Sequence, residues 1–559
     1  MIVIPNGNTK GAVTGHKVLV KRIIEGREQV GEVVRIIGHK NDVGVDILSY
    51  VYQYEFDPTY SDEVMDAVSK VPDTVSLAEI EDDDRVDLRD ELIFTIDGAD
   101  TKDIDDAISI SKNEDGTYIL GVHIADVSHY VKKESILDED AYNRGTSVYL
   151  VDRVIPMLPH KLSNGICSLN PNVDRLAISC IMEIDKTTGE IVTYDTIPAI
   201  IKSHKRLTYN IVNKVLAGDD LFDDDVPLKE MLFNAYNLSC ILKEKRIKRG
   251  AFFFETAQAH VELDNMGKVI NIGMVKRGIS EGIIEEFMLI CNECIASIFE
   301  YMDYPFIYRV HEVPTEEKLE ALYSKIDNIS DFKLPKNKNL DTIKYAIQEI
   351  IKKNNPNEEG ISQEEYNERL VINTELIRSM MKAKYQLNNV GHFGLASKAY
   401  THFTSPIRRY PDLMVHRILK EFILNLEDSN LKNSEKYYEN KLEITCKTSN
   451  NCERLAENIE RDVIKLKQCE YMNHYIGKVF YGTISSITAF GIFVLLDNQA
   501  EGLVRYQDMR YYIDYDEKRN VAYCQINKQE YTIGKRVKVK IEDVIINERK
   551  IAISILNVL

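Results

Sequence analysis

Thr95-Ile-Asp97-Gly-Ala-Asp100-Thr-Lys-Asp103-Ile-Asp105-Asp106-Ala107 is the stretch on which the reading of this chain turns. Apolar residues frame it closely: Leu92, Ile93, Phe94 and Ile96 before it, Ile108 and Ile110 after it. A solvated acidic loop has no need of strand-like core residues on both sides. Asp103 and Asp105 have one strand parity and Asp106 the other, so a regular strand cannot aim all three at one point. A turn is needed, and Gly98 offers one. Carboxylates forced together repel, and the usual escapes are protonation or a bound cation. An all-oxygen set suits Mg²⁺ or Mn²⁺ far better than zinc. Two such ions a few ångströms apart are a known arrangement for phosphodiester hydrolysis. The spacing of an EF-hand calcium loop is absent, with no Gly at its sixth position and no Glu at its twelfth. A structural ion or a merely charged loop is the plain alternative.

A second constellation is His402-Phe-Thr404-Ser405-Pro406-Ile-Arg408-Arg409-Tyr410-Pro-Asp412. Thr404 or Ser405 as N-cap, with Pro406 at the first helical position, predicts a helix start. Arg408 and Arg409 then fall in the opening turn, where cations oppose the helix dipole. An anion suits that place better, because free backbone N–H groups and an arginine fork converge on it. A phosphate is the natural occupant, and pairing of both arginines with surface acids is the alternative.

The 559 residues, 44% hydrophobic and 28% charged, predict two to four globular domains. No apolar run approaches the roughly 18 residues needed to span a membrane, and the N-terminus carries no secretory pattern. Nine scattered cysteines fit a reducing cytoplasm. The lone CxxC of Cys291 and Cys294 sits in an apolar stretch and reads as a buried helix face. The net charge of −19 is unusual for a nucleic-acid enzyme. It is concentrated in the middle, since residues 1–50 and 477–559 each carry a small positive excess. Acidic runs at 81–84 and 223–225 read as solvated loops. Global charge governs steering, so it neither supports nor excludes RNA.

Three textures follow one another, and the predicted class is multidomain α+β. Residues 1–78 alternate short apolar runs with glycines, including Val43-Gly-Val-Asp-Ile-Leu, and predict part of a β-barrel with too few strands to close. Residues 79–472 mix strands and helices, with an Asn-, Lys- and Glu-rich surface excursion expected at 327–365. Residues 473–559 return to short glycine-punctuated strands, which fit an OB-fold barrel whose aromatic face stacks bases.

Phe490-Gly-Ile-Phe-Val followed by Glu501-Gly-Leu-Val resembles the S-one type of RNA-binding OB domain. The segment from Asp97 to Asp106 resembles the catalytic signature of the RNase II/RNase R (RNB) family of exoribonucleases. Further blocks of that family are Asn143-Arg144-Gly-Thr-Ser-Val-Tyr149, Ile155-Pro-Met-Leu-Pro159, Leu162 to Pro171 and His402 to Asp412. They run in family order along essentially the whole chain, and their wording is more like RNase R than RNase II.

The resemblance implies a partial cold-shock barrel, a mixed α/β RNB catalytic domain and the S-one-type barrel. It implies processive, two-metal hydrolysis of single-stranded RNA from a free 3′ end to nucleoside 5′-monophosphates, with duplexes bearing a 3′ overhang as further candidate substrates. On this family pattern Asp97, Asp103 and Asp106 hold Mg²⁺, with Mn²⁺ as substitute, directly or through water. Asp105 is the carboxylate whose loss stops cleavage but leaves RNA bound. Arg408 steadies charge on the scissile phosphate. Tyr149 stacks on the terminal bases, Glu460 contacts the last ribose, and Arg144, Arg409, Phe490 and Phe493 are further RNA contacts. A cytoplasmic monomer is implied, away from membranes, whose partners could include an RNA-degradation assembly or the ribosome. Set on the family plan, Met1 falls partway through the second cold-shock barrel, so weaker and more salt-sensitive capture of RNA is expected. The alternative is an RNA-binding protein on an inactive nuclease scaffold.

Overall fold

The structure, a computed structural model, describes residues 2–559 apart from 26–27, 82–83, 223, 255–257, 276, 321–339, 357, 359, 425–430 and 518. It opens with β1 (His16–Glu25) and β2 (Glu28–His39), an antiparallel pair that no third named strand joins among the described residues. The run from Val43, expected as a strand, instead forms the helix Val45–Gln53. Ile47, Tyr50 and Val51 are buried along it. A spacing of three and four puts such residues on one face only in a helix, and the six-residue window from Val43 was too short to reveal it.

The middle of the chain is organised on a seven-stranded sheet. Its strands are β3 (Val86–Asp87), β4 (Phe94–Asp97), β5 (Asp106–Lys112) and β6 (Tyr118–Ala125). After a separate small hairpin of β7 (Val148–Tyr149) and β8 (Val154–Ile155) come β9 (Asp174–Ile184), β10 (Ile191–Lys202) and β11 (Lys205–Thr208). The spatial order is β11, β4, β5, β6, β9, β10, β3. The framing residues Ile93, Phe94, Ile96, Ile108 and Ile110 are all core, and Leu92 packs partly buried against it. The acids therefore sit on the connection between two adjacent, antiparallel central strands, with Phe94 opposite Ile108.

Helices Val226–Arg249 and Ile279–Met302 supply much of the same core. Cys291 and Cys294 are buried on the second. Asp225, part of an acidic run expected to be a solvated loop, caps the first helix by accepting from the Leu228 N–H. The surface excursion expected at 327–365 is also corrected. Helix Leu340–Lys353 occupies much of it and helix Gln363–Ser379 begins in it, and Ile343, Ile347 and Ile350 of the first are buried. The polar composition concealed a narrow apolar stripe. The part of that expectation at 327–339 falls outside the described residues.

The C-terminal strands close into the expected five-stranded barrel, formed by Val479–Thr488, Gly491–Leu496, Glu501–Arg505, Arg536–Ile545 and Lys550–Val558. A Cβ at Gly491 would lie 2.3 Å from the Val504 carbonyl oxygen, so closure there requires glycine. The 43-residue helix Leu431–Asn473 links the regions. Leu442 and Cys446 enter the central core, Ile459 and Val463 pack with Ile47 and Val51, and Cys469 and Met472 reach the barrel core.

Helix Tyr410–Leu419 is held to helix Ile136–Arg144 by a buried pair, Arg417 to Asp138 at 2.7 Å, with the Tyr410 hydroxyl donating to the same carboxylate oxygen at 2.9 Å. Replacing Arg417 by Leu strands a buried carboxylate and is expected to lower unfolding stability by about 3–5 kcal/mol. Chemical denaturation of the variant measures this, and a loss below about 1 kcal/mol contradicts the assignment.

Candidate active site

Asp97 ends β4 and Asp106 begins β5, so strand register alone brings these two together. A turn closed by Thr101 N–H to the Gly98 carbonyl carries the chain between them. Gly98 has no left-handed φ, so it opens the turn without needing glycine's freedom. Asp97, Asp103, Asp105, Asp106, Tyr149, Arg408 and Arg409 all line one cavity of about 1290 Å³.

Asp105 is the most enclosed of the four acids. Its Oδ1 accepts from the Ile407 N–H at 2.8 Å, and its Oδ2 lies 3.5 Å from Arg408 Nε. Thus it straps the 405–409 segment to the acidic connection. The Arg408 carbonyl in turn accepts from Ser147 N–H and Thr146 Oγ1, which fixes the approach to Tyr149. Tyr149 donates its hydroxyl to Asp103 at 3.1 Å, and its backbone N–H is held by Glu460 from the long helix at 2.7 Å. Gly145 makes the crossing possible. Its φ is +67°, and a Cβ there would sit 2.5 Å from Cys452 Cβ on the long helix.

The predicted helix start is displaced. Ser405 to Arg408 form a turn, and the helix begins at Tyr410 with Arg409 as N-cap and Pro411 in the first turn. The arginines precede the helix because Ser405 N–H donates to Asp412, a carboxylate in the first turn, and Arg409 forks onto the same group at 2.6 and 2.9 Å. Arg409 lines the cavity and also pairs through Nε and Nη2 with Asp412, an internal ion pair. Arg144 is reassigned. It is buried, bonds Asp140 and the carbonyls of Asp57 and Thr59, and stacks 4.0 Å from the Tyr60 ring centre, which anchors the segment ahead of the sheet. Arg408 is different: 39% of its side chain is exposed, and Ser405 Oγ steadies one end.

Glu460 is placed behind Tyr149 and contacts its backbone. Phe490 and Phe493 form an edge-to-face pair in a separate groove of about 300 Å³, shared with Lys465, Arg549 and Lys550, between the barrel and the long helix. Sequence reasoning missed Arg206 and Tyr209, which also line the main cavity. No motif marks them. They become visible only because β11 lies beside β4 with Thr208 opposite Asp97.

Burial dominates the electrostatics. It pushes the Asp97 carboxyl up to about 8, with Asp106 and Asp103 adding to the push and Arg206 opposing it. It pushes Asp106 up to about 6 against the pull of Arg408 and Arg409. Asp105 is raised well above the carboxylate range by burial, despite Arg408 and the Ile407 N–H. Asp97 Oδ2 is buried with no hydrogen-bond partner. Among the described residues no three His, Cys, Asp or Glu side chains make a ready cage for an ion. The carboxylate lining and the unpartnered Asp97 Oδ2 fit a hard divalent cation whose shell is completed by waters and substrate oxygens, which is the habit of Mg²⁺. Among the described residues no helix is long and apolar enough to cross a membrane.

Comparison with known proteins matches residues 85–425 to the RNB domain, residues 1–61 to a cold shock domain and residues 473–556 to the S1 RNA binding domain. Ribonuclease R 1 of Lactococcus lactis is 40% identical over 513 residues, covering 91% of this chain and 61% of that protein. Ribonuclease R of Ureaplasma parvum is 41% identical over 547 residues, covering 96% and 74%. The chain thus spans 61% to 74% of the length of these two relatives. The structure of Mycoplasma genitalium RNase R in complex with ribose methylated single-stranded RNA aligns with a TM-score of 0.92 at 27% identity, over 99% of this chain and 85% of that one.

Asp97 and Asp106 titrate higher in the folded protein than the ordinary value near 4. Their protonated forms therefore favour folding, a contribution intact at about pH 4 and lost as pH climbs through about 6 and then about 8. The Tm of metal-free protein is expected to fall over that range, and Asp97→Asn to flatten its upper part. Added divalent ion should raise Tm more above pH 8 than at pH 5. A profile identical in wild type and Asp97→Asn contradicts the burial argument.

Proposed function

The chain belongs to the RNB-domain exoribonucleases, and from that membership and its acid-lined cavity we propose that it hydrolyses single-stranded RNA processively from a free 3′ end, releasing nucleoside 5′-monophosphates. The observation that carries this reading is the convergence, in one cavity, of four aspartates with one half-exposed arginine and one tyrosine drawn from distant parts of the sequence. Asp97, Asp103 and Asp106 would hold the divalent metal the family requires, two Mg²⁺ ions in our reading with Mn²⁺ as substitute. Bound there, the ions supply an activated water and stabilisation of the leaving oxygen.

Each remaining role follows from a contact of the chain itself. Arg408 is tethered through Ser405 and Asp105 yet keeps part of its guanidinium open to the cavity. It therefore offers charge to a phosphate whose negative charge grows in the transition state, without reorganising to do so. Asp105 fixes Ile407 and Arg408 from below and presents little surface of its own. It aligns the chemistry, and RNA does not lean on it for affinity. Tyr149, 41% exposed, presents its ring to the cavity while Asp103 and Glu460 pin its two ends. A ring so held is a stacking surface for the terminal base, worth about 1–3 kcal/mol per base. Glu460 helps set the 3′ end in register by holding the Tyr149 backbone, and the last ribose is its further proposed contact. The aromatic pair Phe490 and Phe493, beside Lys465 and Lys550, serves the incoming strand. RNA in the cytoplasm is the proposed substrate, duplexes with a 3′ overhang included.

The test is a digest of 5′-labelled single-stranded RNA. Stepwise shortening from the 3′ end to a small limit product, abolished by EDTA and restored by Mg²⁺, is expected. Internal fragments would point to an endonuclease, and intact RNA with retained binding to an inactive scaffold. Asp105→Asn is expected to remove cleavage while RNA affinity stays within about threefold. Tyr149→Ala is expected to weaken retention of short oligonucleotides by about 1–3 kcal/mol, measured by equilibrium binding with the Asp105→Asn protein as parent.

A further inference from the structure

Arg206 lines the acidic cavity, and among the described residues its hydrogen bonds go to backbone carbonyls. It lies on β11, which runs parallel to β4 with Arg206 opposite Thr95 and Thr208 opposite Asp97. Its Nη2 donates to the carbonyls of Gly98 at 3.1 Å, Ala99 at 3.0 Å and Thr101 at 2.5 Å. Those are carbonyls of the turn that carries the chain from Asp97 towards Asp103. The same guanidinium lines the cavity together with Asp97 and Asp103.

An arginine could help Asp97 more directly by hydrogen bonding to it, but that would occupy the carboxylate oxygens. Here the charge is delivered without the bond, and Asp97 Oδ2 keeps no hydrogen-bond partner in a buried place. Charge compensation and a free lone pair are what a cation ligand needs, and the two requirements normally conflict. Holding the 98–101 turn resolves the conflict, because it fixes where Asp97 and Asp103 stand relative to each other while the guanidinium remains off the carboxylates.

We infer that Arg206 is a positioning residue, clamping the Gly98–Thr101 turn so that Asp97 and Asp103 meet a divalent ion together. The inference rests on the metal reading proposed above. Outer contacts that orient metal ligands change ion affinity by about 10–100-fold when lost. Lysine retains the charge of Arg206, but its side chain ends short of the Nη2 position that meets all three carbonyls.

The experiment titrates Mn²⁺, read by electron paramagnetic resonance of the free ion, into full-length Asp105→Asn protein holding a single-stranded oligoribonucleotide. Arg206→Lys added to that parent should raise the half-saturating Mn²⁺ concentration about tenfold. Amide hydrogen exchange should quicken at residues 98–103 while the rest of the sheet is unchanged. Mn²⁺ affinity within about twofold of the parent overturns the inference, as does unchanged exchange at the turn. Faster exchange throughout β4, β5 and β6 also overturns it, since Arg206 would then be a general structural residue. A parent that binds no Mn²⁺ overturns the metal reading itself, which distinguishes that failure from failure of the clamp.

Discussion

Four carboxylates gathered at the end of two adjacent strands repel one another, and burial makes the repulsion worse. Asp105 and the neighbouring Asp97 and Asp106 are all driven towards protonation by their surroundings. A protein keeps such a crowd only if something else holds the walls in place, because the acids themselves work to spread the site apart. In this chain the restraint is backbone. The Ile407 N–H reaches Asp105, the Arg408 carbonyl takes two donors from Thr146 and Ser147, and Arg206 gathers three carbonyls of the turn. Compensation comes from arginine charge placed near the acids with little direct pairing, which leaves oxygens available for another cation.

That lacing explains why Tyr149 and Arg408, 259 positions apart by their numbering, behave as one unit. The strand-like passage from Gly145 to Ser147 lies against Arg408 to Tyr410, so a shift of either moves both. The long helix Leu431–Asn473 supplies the rigid backing. It crosses at Gly145, contributes Glu460 to the Tyr149 backbone, and places residues in three separate cores. A helix of that length spans about 65 Å at 1.5 Å per residue. It therefore connects the aromatic groove of the barrel to the acidic cavity through one continuous element.

The negative charge of the whole molecule coexists with this chemistry because the two act over different distances. Long-range steering follows the net charge of −19. Inside the cavity, Asp97, Asp103, Asp105, Asp106 and the exposed part of Arg408 act at short range. At the barrel, the Phe490 and Phe493 groove sets Lys465, Arg549 and Lys550 against Asp462, Glu501 and Glu548, with Arg549 paired to Asp462 and Lys550 to Glu548.

The sequence by itself determined the acidic connection and its two flanking strands, the closing barrel, and the identity of the acids, Arg408 and Tyr149 as one candidate site. The acids, their strands and the barrel are legible because period-two burial, glycine-marked turns and an acid-dense motif are local signals, whereas the joining of Arg408 and Tyr149 to the acids came from the family resemblance. It misplaced three local features. The Val43 run became a helix because its apolar spacing is legible only over a longer window. The 340–353 stripe was masked by its polar neighbours. The helix expected at Pro406 starts at Tyr410, because Asp412 recruits both Ser405 and Arg409 ahead of it. Only the tertiary structure could decide that Arg144 and Arg409 turn inward, that Glu460 stands behind Tyr149, and that Arg206 belongs to the site at all. Arg409 pairs with Asp412 only three residues on, but Arg144 meeting Asp57, Glu460 meeting Tyr149 and Arg206 meeting Gly98 join positions 87, 311 and 108 apart, and such meetings leave no trace in either segment's own pattern.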